Sequence, residues 1–337
     1  MSNTSLVTAR STTPDMWEGV IECIEGAQSI AISGHTNPDG DALGSGLGLG
    51  RSLAEQFPDK HVTCLLADDS DVPRIYRFLE GSDSMVPASA FEDDVDLFIS
   101  VDVPTMERLK ASADVAKRAR ARVVIDHHPT KAEFGDVTVR VTSAAATAVL
   151  VSELIETAGY PLTPRIATSL MAGLVTDTGR FSYQNANASA FSCASMLVDA
   201  GAEPARIALE VYQSQRIQYL QLESIVMSRI GTRAQGRVAF SYAYASDLQT
   251  CGVKPSECDG LVDIVRRVGG TELCMFLRES EPGVVRGNLR SKGAIDISGV
   301  AAAHNGGGHA DAAGFTFYGS IDEALTAIVP ELEALVG

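Results

Sequence analysis

Val123-Val124-Ile125-Asp126-His127-His128 runs from three β-branched residues straight into an acid and two imidazoles. A β-branched run of this kind reads as a buried strand, and polar groups at the end of a buried strand must find partners. Upstream, the apolar stretch Ser29 to Ser33 leads into His35-x3-Asp39-x-Asp41, so a second strand ends in the same chemistry. Open parallel sheets gather ligands at the carboxyl ends of their strands. Two strands that each deliver His and Asp there predict such a sheet with one crevice at its edge.

Further strands are read at His61–Ala67 and Val95–Val103, beside Arg122–Ile125, with helices at Asp41–Phe57, Thr105–Ala121, Ser143–Ala158 and Pro164–Thr176. Strands alternating with helices predict an α/β domain built on a parallel sheet flanked by helices. The basic turn Lys117-Arg118-Ala119-Arg120 suits a helix C-terminus. From about Ser195 to Gly231 the sequence is helix-compatible, broken at Gly201 and Pro204, and reads as connecting helices. Beyond it, strands at Arg237–Tyr244, Glu272–Glu279 and Val284–Leu289 mix with helices at Lys254–Val268, Ile297–Ala303 and Ile321–Val336, a second and smaller α/β domain. The expected organisation is a larger domain over 14–195, a helical linker over 196–231 and a smaller domain over 232–337. With 337 residues, two cores are expected rather than one.

The chain carries 27 Lys+Arg against 43 Asp+Glu, a formal net charge of -16. That excludes a broad basic surface gripping long nucleic acid, so a nucleotide ligand should be short and locally held. Six cysteines, at 23, 64, 193, 251, 258 and 274, include no C-x-x-C pair and read as buried free thiols in a reducing compartment. The segment Met1 to Thr13 is polar, with no apolar core of signal-peptide length, and no 18-residue apolar run occurs elsewhere. A cytoplasmic protein with no membrane partner is the expectation.

His35, Asp39 and Asp41 would lie after one strand, Asp102 at the end of another, and Asp126-His127-His128 at the end of a third. Asp177, in Val175-Thr176-Asp177-Thr178-Gly179, follows a helix and can close the set. His35, Asp39, Asp41, Asp102, His127 and Asp177 are too many ligands for one ion but suit two ions sharing a bridging carboxylate. Two such ions clamp the attacking and leaving oxygens of an in-line phosphoryl displacement. An oxygen-rich set with some imidazole favours Mn²⁺, with Mg²⁺, Co²⁺ or Fe²⁺ as substitutes. Two divalent ions would also cancel the four aspartates, letting an acidic protein bind an anion. The plainer reading is that these residues cap helices, and Asp41 ahead of Ala42-Leu43-Gly44 is a good N-cap candidate.

Two glycine-rich stretches need separate treatment. Gly44-Ser45-Gly46-Leu47-Gly48-Leu49-Gly50 fails the dinucleotide-binding G-x-G-x-x-G register, because Leu49 or Arg51 falls where the third glycine belongs. Gly46 and Gly50, one turn apart, are instead expected to let a helix pack closely on the sheet. Gly306-Gly307-Gly308 can turn consecutive backbone N–H groups toward an anion, with His309 able to bond phosphate or stack on a base. A flexible turn is the alternative. His304 and His309 bracket the triplet, and Arg286, Arg290 and Lys292 offer a second anion contact. Five of the six histidines fall in or beside these motifs; His61, opening a strand, reads as a surface residue, and Trp17 as packing.

The run His35-Thr36-Asn37-Pro38-Asp39-Gly40-Asp41-Ala42-Leu43-Gly44-Ser45 resembles the first motif of the DHH phosphoesterase family, Asp102 its second, Asp126-His127-His128 its third and Asp177 its fourth. Asn288-Leu289-Arg290-Ser291-Lys292 followed by Gly306-Gly307-Gly308-His309 resembles that family's associated C-terminal domain. The pattern is similar to the stand-alone nanoRNase and phosphoadenosine-phosphate phosphatase type. The resemblance implies two Mn²⁺ ions, one on His35, Asp39 and Asp102, the other on Asp41, Asp102, His127 and Asp177, with bridging hydroxide as nucleophile. It implies phosphate contact by His128, support from Asp126, and substrate binding by Asn288, Arg290, Ser291, Gly306, Gly307, Gly308 and His309 in a cleft between the domains. It also implies a homodimer acting on short RNA, linear dinucleotides or 3′-phosphoadenosine 5′-phosphate, with cyclic di-AMP the alternative. Many relatives carry Ser where this chain has Asn288, which bears on substrate preference. An inorganic pyrophosphatase is disfavoured by the glycine-His loop, a long-DNA exonuclease by the lack of an extra nucleic-acid domain, and a non-catalytic regulator by the complete ligand set.

Overall fold

A computed structural model describes residues 9–293 and 295–337; residues 1–8, part of the polar N-terminus read above, lie outside them. The chain divides into two compact units, the first ending at Ser214 and the second spanning Gln215–Gly337.

The first unit holds a six-stranded sheet of β1 (Ser29–Ser33), β2 (His61–Leu66), β3 (Val86–Pro87), β4 (Leu97–Val101), β5 (Ala121–Asp126) and β6 (Val137–Arg140). Every pairing is parallel and the order is β3-β2-β1-β4-β5-β6. Its helices are α1 (Glu18–Gly26), α2 (Gly40–Gln56), α3 (Ser112–Arg118), α4 (Thr147–Ala158), α5 (Pro164–Asp177), α6 (Ala188–Asp199) and α7 (Pro204–Ile207). Side chains alternate across a strand, and here both faces are apolar. Ile30, Ile32, Leu97, Ile99, Val101, Val123 and Ile125 enter a core with residues of α1, α2, α4 and α5. Ala31, Leu65 and Phe98 enter a second core with Val115 and Ala116 of α3. Strands covered on both faces read as continuous apolar runs, which is why these four were legible. The order reverses between β1 and β4, and a crevice opens at such a switch point.

The helix expected over Thr105–Ala121 is instead a 3-10 turn, Met106–Leu109, followed by α3. Lys110 adopts φ 47 at the break. The interruption lets Ser112 reach the Ser33 hydroxyl at 2.8 Å and lets the Arg108 carbonyl accept the Thr36 N–H at 2.8 Å. Outer strands β3 and β6 went unread. A two-residue strand containing Pro87 gives no periodic signal, and Pro is tolerated only at a sheet edge.

The second unit contains β7 (Gly231–Arg233), β8 (Val238–Ala243), β9 (Leu273–Glu281), β10 (Val284–Ser291), β11 (Gly307–Gly308) and β12 (Ala312–Tyr318), in the order β11-β12-β10-β9-β8-β7. All pairs are antiparallel except β8 with β9. A parallel pair needs a crossover, here α9 (Ala245–Cys251) and α10 (Val262–Arg266); α8 (Ile217–Ser228), α11 (Ser298–Ala303) and α12 (Ile321–Val336) complete the unit. Leu273, Met275 and Leu277 face a core with Ile321, Ile328 and Leu332 of α12, while Cys274 and Phe276 face one with Leu222 and Val226 of α8. On β10, Val285 and Leu289 enter the α12 core, leaving Arg286, Asn288 and Arg290 on the opposite face.

Two further expectations change. The helix over Lys254–Val268 is instead two short 3-10 turns, Pro255–Glu257 and Asp259–Leu261, before α10. The stretch read as a linker is packed into the units themselves. Leu197, Ala202, Ile207 and Val211 are buried in the first unit's core, whereas Tyr219, Leu222 and Val226 are buried in the second's. Apolar residues in a helix-compatible run seek a core, and the division between units falls inside that run, after Ser214.

Candidate metal centre

Asp39 is the residue that caps α2: its Oδ1 accepts the N–H groups of Asp41 and Ala42, each at 3.0 Å. Asp41, which had looked like the cap, lies in the first turn and is buried. Its carboxylate instead caps α4, accepting Thr147 N–H at 2.6 Å and Ala148 N–H at 2.8 Å, with the Ser45 hydroxyl at 3.1 Å. A helix N-terminus favours negative charge. Asp41 thus joins two helices across the sheet's edge.

Asp102 follows β4 with φ 61, a backbone conformation uncommon outside glycine. Its amide donates to the Ile125 carbonyl at 3.0 Å, tying β4 to β5 at their ends. Strained residues of this sort persist only where their surroundings hold them, and they concentrate at functional sites. The carboxylate so placed faces two ways. Oδ2 is 3.5 Å from His35 Nε2, which is also 3.7 Å from Asp39 Oδ2. Oδ1 is 3.5 Å from His127 Nε2, itself 3.6 Å from Asp177 Oδ2 and 4.0 Å from Asp41 Oδ2. Oδ1 also accepts the Thr147 hydroxyl at 3.0 Å. Two clusters result, His35 with Asp39 and Asp102, and Asp41 with His127 and Asp177, each with ligand atoms within 4.8 Å of one another.

Both imidazoles are oriented by carbonyl groups. His35 Nδ1 lies 2.8 Å from the Thr36 carbonyl, and His127 Nδ1 lies 3.2 Å from that of Ala144. A carbonyl only accepts, so each Nδ1 carries the proton and each Nε2 turns toward the carboxylates. Metal-binding histidines are held in this way.

The electrostatics fit a cation as well. Burial and the charges of Asp102 and Asp177 push the Asp41 carboxyl well above the usual carboxylate range. Burial opposes charge on His35, but hydrogen bonds and charge from Asp102 and Asp39 outweigh it and raise the imidazole to about 10. Burial likewise opposes the Asp102 charge, yet the His35 hydrogen bond and the three neighbouring imidazoles hold that carboxyl far below its ordinary value. Four carboxylates at this spacing need positive charge. Without a metal, protons on the histidines supply it; divalent ions supply more.

Asp126 forms a further group with Asp102 and His128, their ligand atoms also within 4.8 Å of one another. Its Oδ1 accepts from His128 N at 3.2 Å and Nδ1 at 2.8 Å, and its Oδ2 accepts from Arg140 Nε at 3.0 Å. Wholly buried, it fixes the His128 ring, whose Nδ1 is 3.6 Å from Asp102 Oδ1. Arg140, on the unread edge strand β6, supplies the counter-charge. Asn185, also unread, donates to the Asp177 carbonyl at 3.1 Å, its Oδ2 at 3.4 Å and the Ala145 carbonyl at 2.8 Å.

In the second unit, Arg290 donates to the carbonyl of Leu289 at 2.9 Å, and Arg286 donates to Thr316 Oγ1 at 2.6 Å. Asn288 lies between them on the same face, its Oδ1 3.4 Å from Arg278 Nη1; Ser291 is buried and bonds Gly293. Lys292 donates to the Val268 carbonyl at 2.6 Å. The glycine triplet is not a free turn, since Gly307 and Gly308 pair with Gly314 and Ala313 of β12. A Cβ on Gly306 would meet the Gly314 carbonyl at 2.1 Å, and one on Gly308 the Ala312 carbonyl at 2.5 Å, whereas Gly307 faces open space. His309 closes the loop through its N–H to the Ala312 carbonyl at 2.8 Å. His304 pairs with Glu331 of α12 at 3.0 Å, so its role is in packing that helix.

The N-terminal domain of the DHH family matches residues 29–174, and the DHHA1 domain matches residues 237–337. A bifunctional oligoribonuclease and PAP phosphatase, NrnA, of Thermus thermophilus is 30% identical over 325 residues, covering 94% of each chain. The protein of that name in Bacillus subtilis is 28% identical over 320 residues, 94% of this chain and 97% of that one. The crystal structure of an exopolyphosphatase-related protein from Bacteroides fragilis superposes with a TM-score of 0.86 at 26% identity, covering 96% of both chains. RecJ of Thermus thermophilus, solved with Mn²⁺, shares the fold at 16% identity and a TM-score of 0.54, over 95% of this chain and 54% of that one.

Proposed function

The chain belongs to the DHH family and is a phosphoesterase, and on that premise we propose that it hydrolyses short nucleotide substrates with two divalent ions, Mn²⁺ foremost. The substrates are oligoribonucleotides of a few residues, linear dinucleotides and 3′-phosphoadenosine 5′-phosphate. One observation carries this reading: Asp102 turns Oδ2 to His35 of one cluster and Oδ1 to His127 of the other, so that a single carboxylate lies between the two. A carboxylate so placed can be shared by a pair of ions. His35 and Asp39 are assigned with Asp102 to one ion, and Asp41, His127 and Asp177 with Asp102 to the other.

Bound there, such a pair supplies Lewis acidity and a nucleophile derived from water. The remaining work belongs to the side chains. Asp126, neutralised by Arg140, fixes His128 through Nδ1, leaving its Nε2 to donate to the scissile phosphate. Asn185 restrains Asp177, and Thr147 restrains both Asp41 and Asp102. Recognition of the nucleotide is assigned to Asn288, Arg290, Ser291 and Gly306 to His309. The relatives named for oligoribonuclease and PAP phosphatase activity over nearly this whole length support that choice of substrates.

The test is a comparison of kcat/KM for 3′-phosphoadenosine 5′-phosphate, a 5′-phosphorylated dinucleotide and cyclic di-AMP on Mn²⁺-loaded protein. The variants His127→Ala, Arg290→Ala and His309→Ala are measured beside the parent. His127→Ala should abolish turnover of all three. Arg290→Ala and His309→Ala should slow nucleotides far more than a generic aryl phosphate. Phosphate release that survives His127→Ala together with Asp126→Ala overturns the assignment of chemistry to this centre.

A further inference from the structure

The turn that breaks the expected helix after Asp102 carries an arginine whose side chain is not committed to any acid. Arg108 is exposed, lies between Asp102 and the positive-φ residue Lys110, and presents Nη2 at 3.3 Å from His35 Nδ1. That approach is not a hydrogen bond, because Nδ1 already gives its proton to the Thr36 carbonyl at 2.8 Å. Among the described residues Arg108 makes no ion pair. Its neighbours behave otherwise: Arg140 pairs with Asp126, Arg122 with Asp136 and Arg118 with Asp94. In a chain of net charge -16, an arginine beside a histidine that faces Asp39 and Asp102, with no carboxylate of its own, is poised for another anion. Its backbone is also anchored to the first motif, since its carbonyl accepts the Thr36 N–H at 2.8 Å.

Its position relative to Asp102 says which anion. Arg108 approaches His35, which faces Asp102 Oδ2, whereas His128 faces Asp102 Oδ1. We propose that Arg108 is a phosphate-binding residue of this centre. Its guanidinium donates to a non-bridging oxygen of the scissile phosphate on the His35 side while His128 donates on the other. This rests on the phosphoesterase reading above. A planar guanidinium can give two parallel N–H bonds to one phosphate, which an ammonium cannot.

The test uses the full-length Mn²⁺-loaded protein with Arg108→Ala and Arg108→Lys, and Arg118→Ala as a paired surface control. Mn²⁺ stoichiometry and affinity, the dissociation constant for inorganic phosphate, and kcat/KM on a 5′-phosphorylated dinucleotide are measured on each. Arg108→Ala should bind Mn²⁺ as the parent does, bind phosphate about tenfold more weakly, and lose about a hundredfold in kcat/KM. Arg108→Lys should recover part of the loss, and added guanidinium ion should partly restore the rate of Arg108→Ala but leave the parent unchanged. Phosphate affinity and kcat/KM both within about twofold of the parent overturn the proposal, and so does a loss explained wholly by weaker Mn²⁺ binding. Should the parent turn over no nucleotide, the functional reading falls while the phosphate titration still decides the role of Arg108.

Discussion

Arg140 and Asp126 are an ion pair whose two members do different work: the acid aims His128, and the arginine gives a carboxylate of zero exposure its counter-charge. Breaking such a pair from one side leaves an uncompensated buried charge, at a cost of about 3–5 kcal/mol. Arg140→Met should therefore lower stability by about that amount in urea titrations, and Asp126→Asn on top of it should restore part of the loss. If Arg140→Met costs no more than a surface substitution, the pair does not hold the triplet in place. Thr147 makes a second case. Thr147→Val deletes the hydroxyl bonded to Asp102 Oδ1 but keeps the N–H to Asp41, so Mn²⁺ affinity should fall while Thr147→Ser stays near the parent. Equal affinities in a calorimetric titration would count against any such role. The candidate ligands were legible because each stands in a short motif at a strand end or, for Asp177, at a helix end. Arg140, Thr147, Asn185 and Arg108 were not, since no local pattern marks them; Thr147 and Asp41 are 106 positions apart and Arg108 and His35 73, while Asn185 and Asp177, only 8 apart, share no recognisable motif.

Helix α2 shows the same division one scale up. Its glycines were read as permitting close packing on the sheet, and Gly46 and Gly50 do lie against Val101, Ile32 and Cys64. Gly50 would bring a Cβ within 2.5 Å of Cys64, and an approach as close is made to another helix. A Cβ on Gly44 would meet the Ser169 carbonyl at 2.3 Å, and one on Gly48 would meet Leu170 at 2.8 Å, both on α5. Helix-on-helix contact depends on which strand order the chain adopts, and sequence spacing alone does not disclose it. Gly44→Ala should destabilise by about 1–3 kcal/mol through overpacking. Gly46→Ala, with only ordinary contacts at 3.7 and 3.9 Å, should be neutral or stabilising by thermal melting. The β11 loop separates packing from ligand approach by the same logic. Gly306→Ala would be driven into β12 and should lower the melting temperature, whereas Gly307→Ala meets nothing within 4 Å and should leave it unchanged. If the loop admits a nucleotide at Gly307, that second variant should still raise KM. Unchanged KM with unchanged melting would leave the triplet a packing device.

At the scale of the molecule, excess acid is concentrated where cations are wanted, which links folding stability to metal and to pH. The chain bears a net charge of -16, and Asp41, held well above the usual carboxylate range by burial and by Asp102 and Asp177, marks the most crowded point. No helix among the described residues is long and apolar enough to cross a membrane. Divalent ions that bind only the folded centre stabilise it by mass action. The sign of the pH effect follows from His35. Its raised value, about 10 in the metal-free protein, means that its protonation adds stability in full below the unfolded pKa of about 6.5, and this is lost as pH climbs through about 10. A metal on Nε2 requires that same proton to leave, so the ion competes better as pH rises. The melting temperature of EDTA-treated protein should therefore fall between roughly pH 6 and pH 9 relative to that of Mn²⁺-loaded protein, and the gap between them should widen. His35→Gln should flatten that dependence, because the group whose proton the metal displaces is gone. A gap that stays constant over the range in the parent, with Mn²⁺ binding confirmed at each pH, would show that the charge balance of this centre is set elsewhere than at His35.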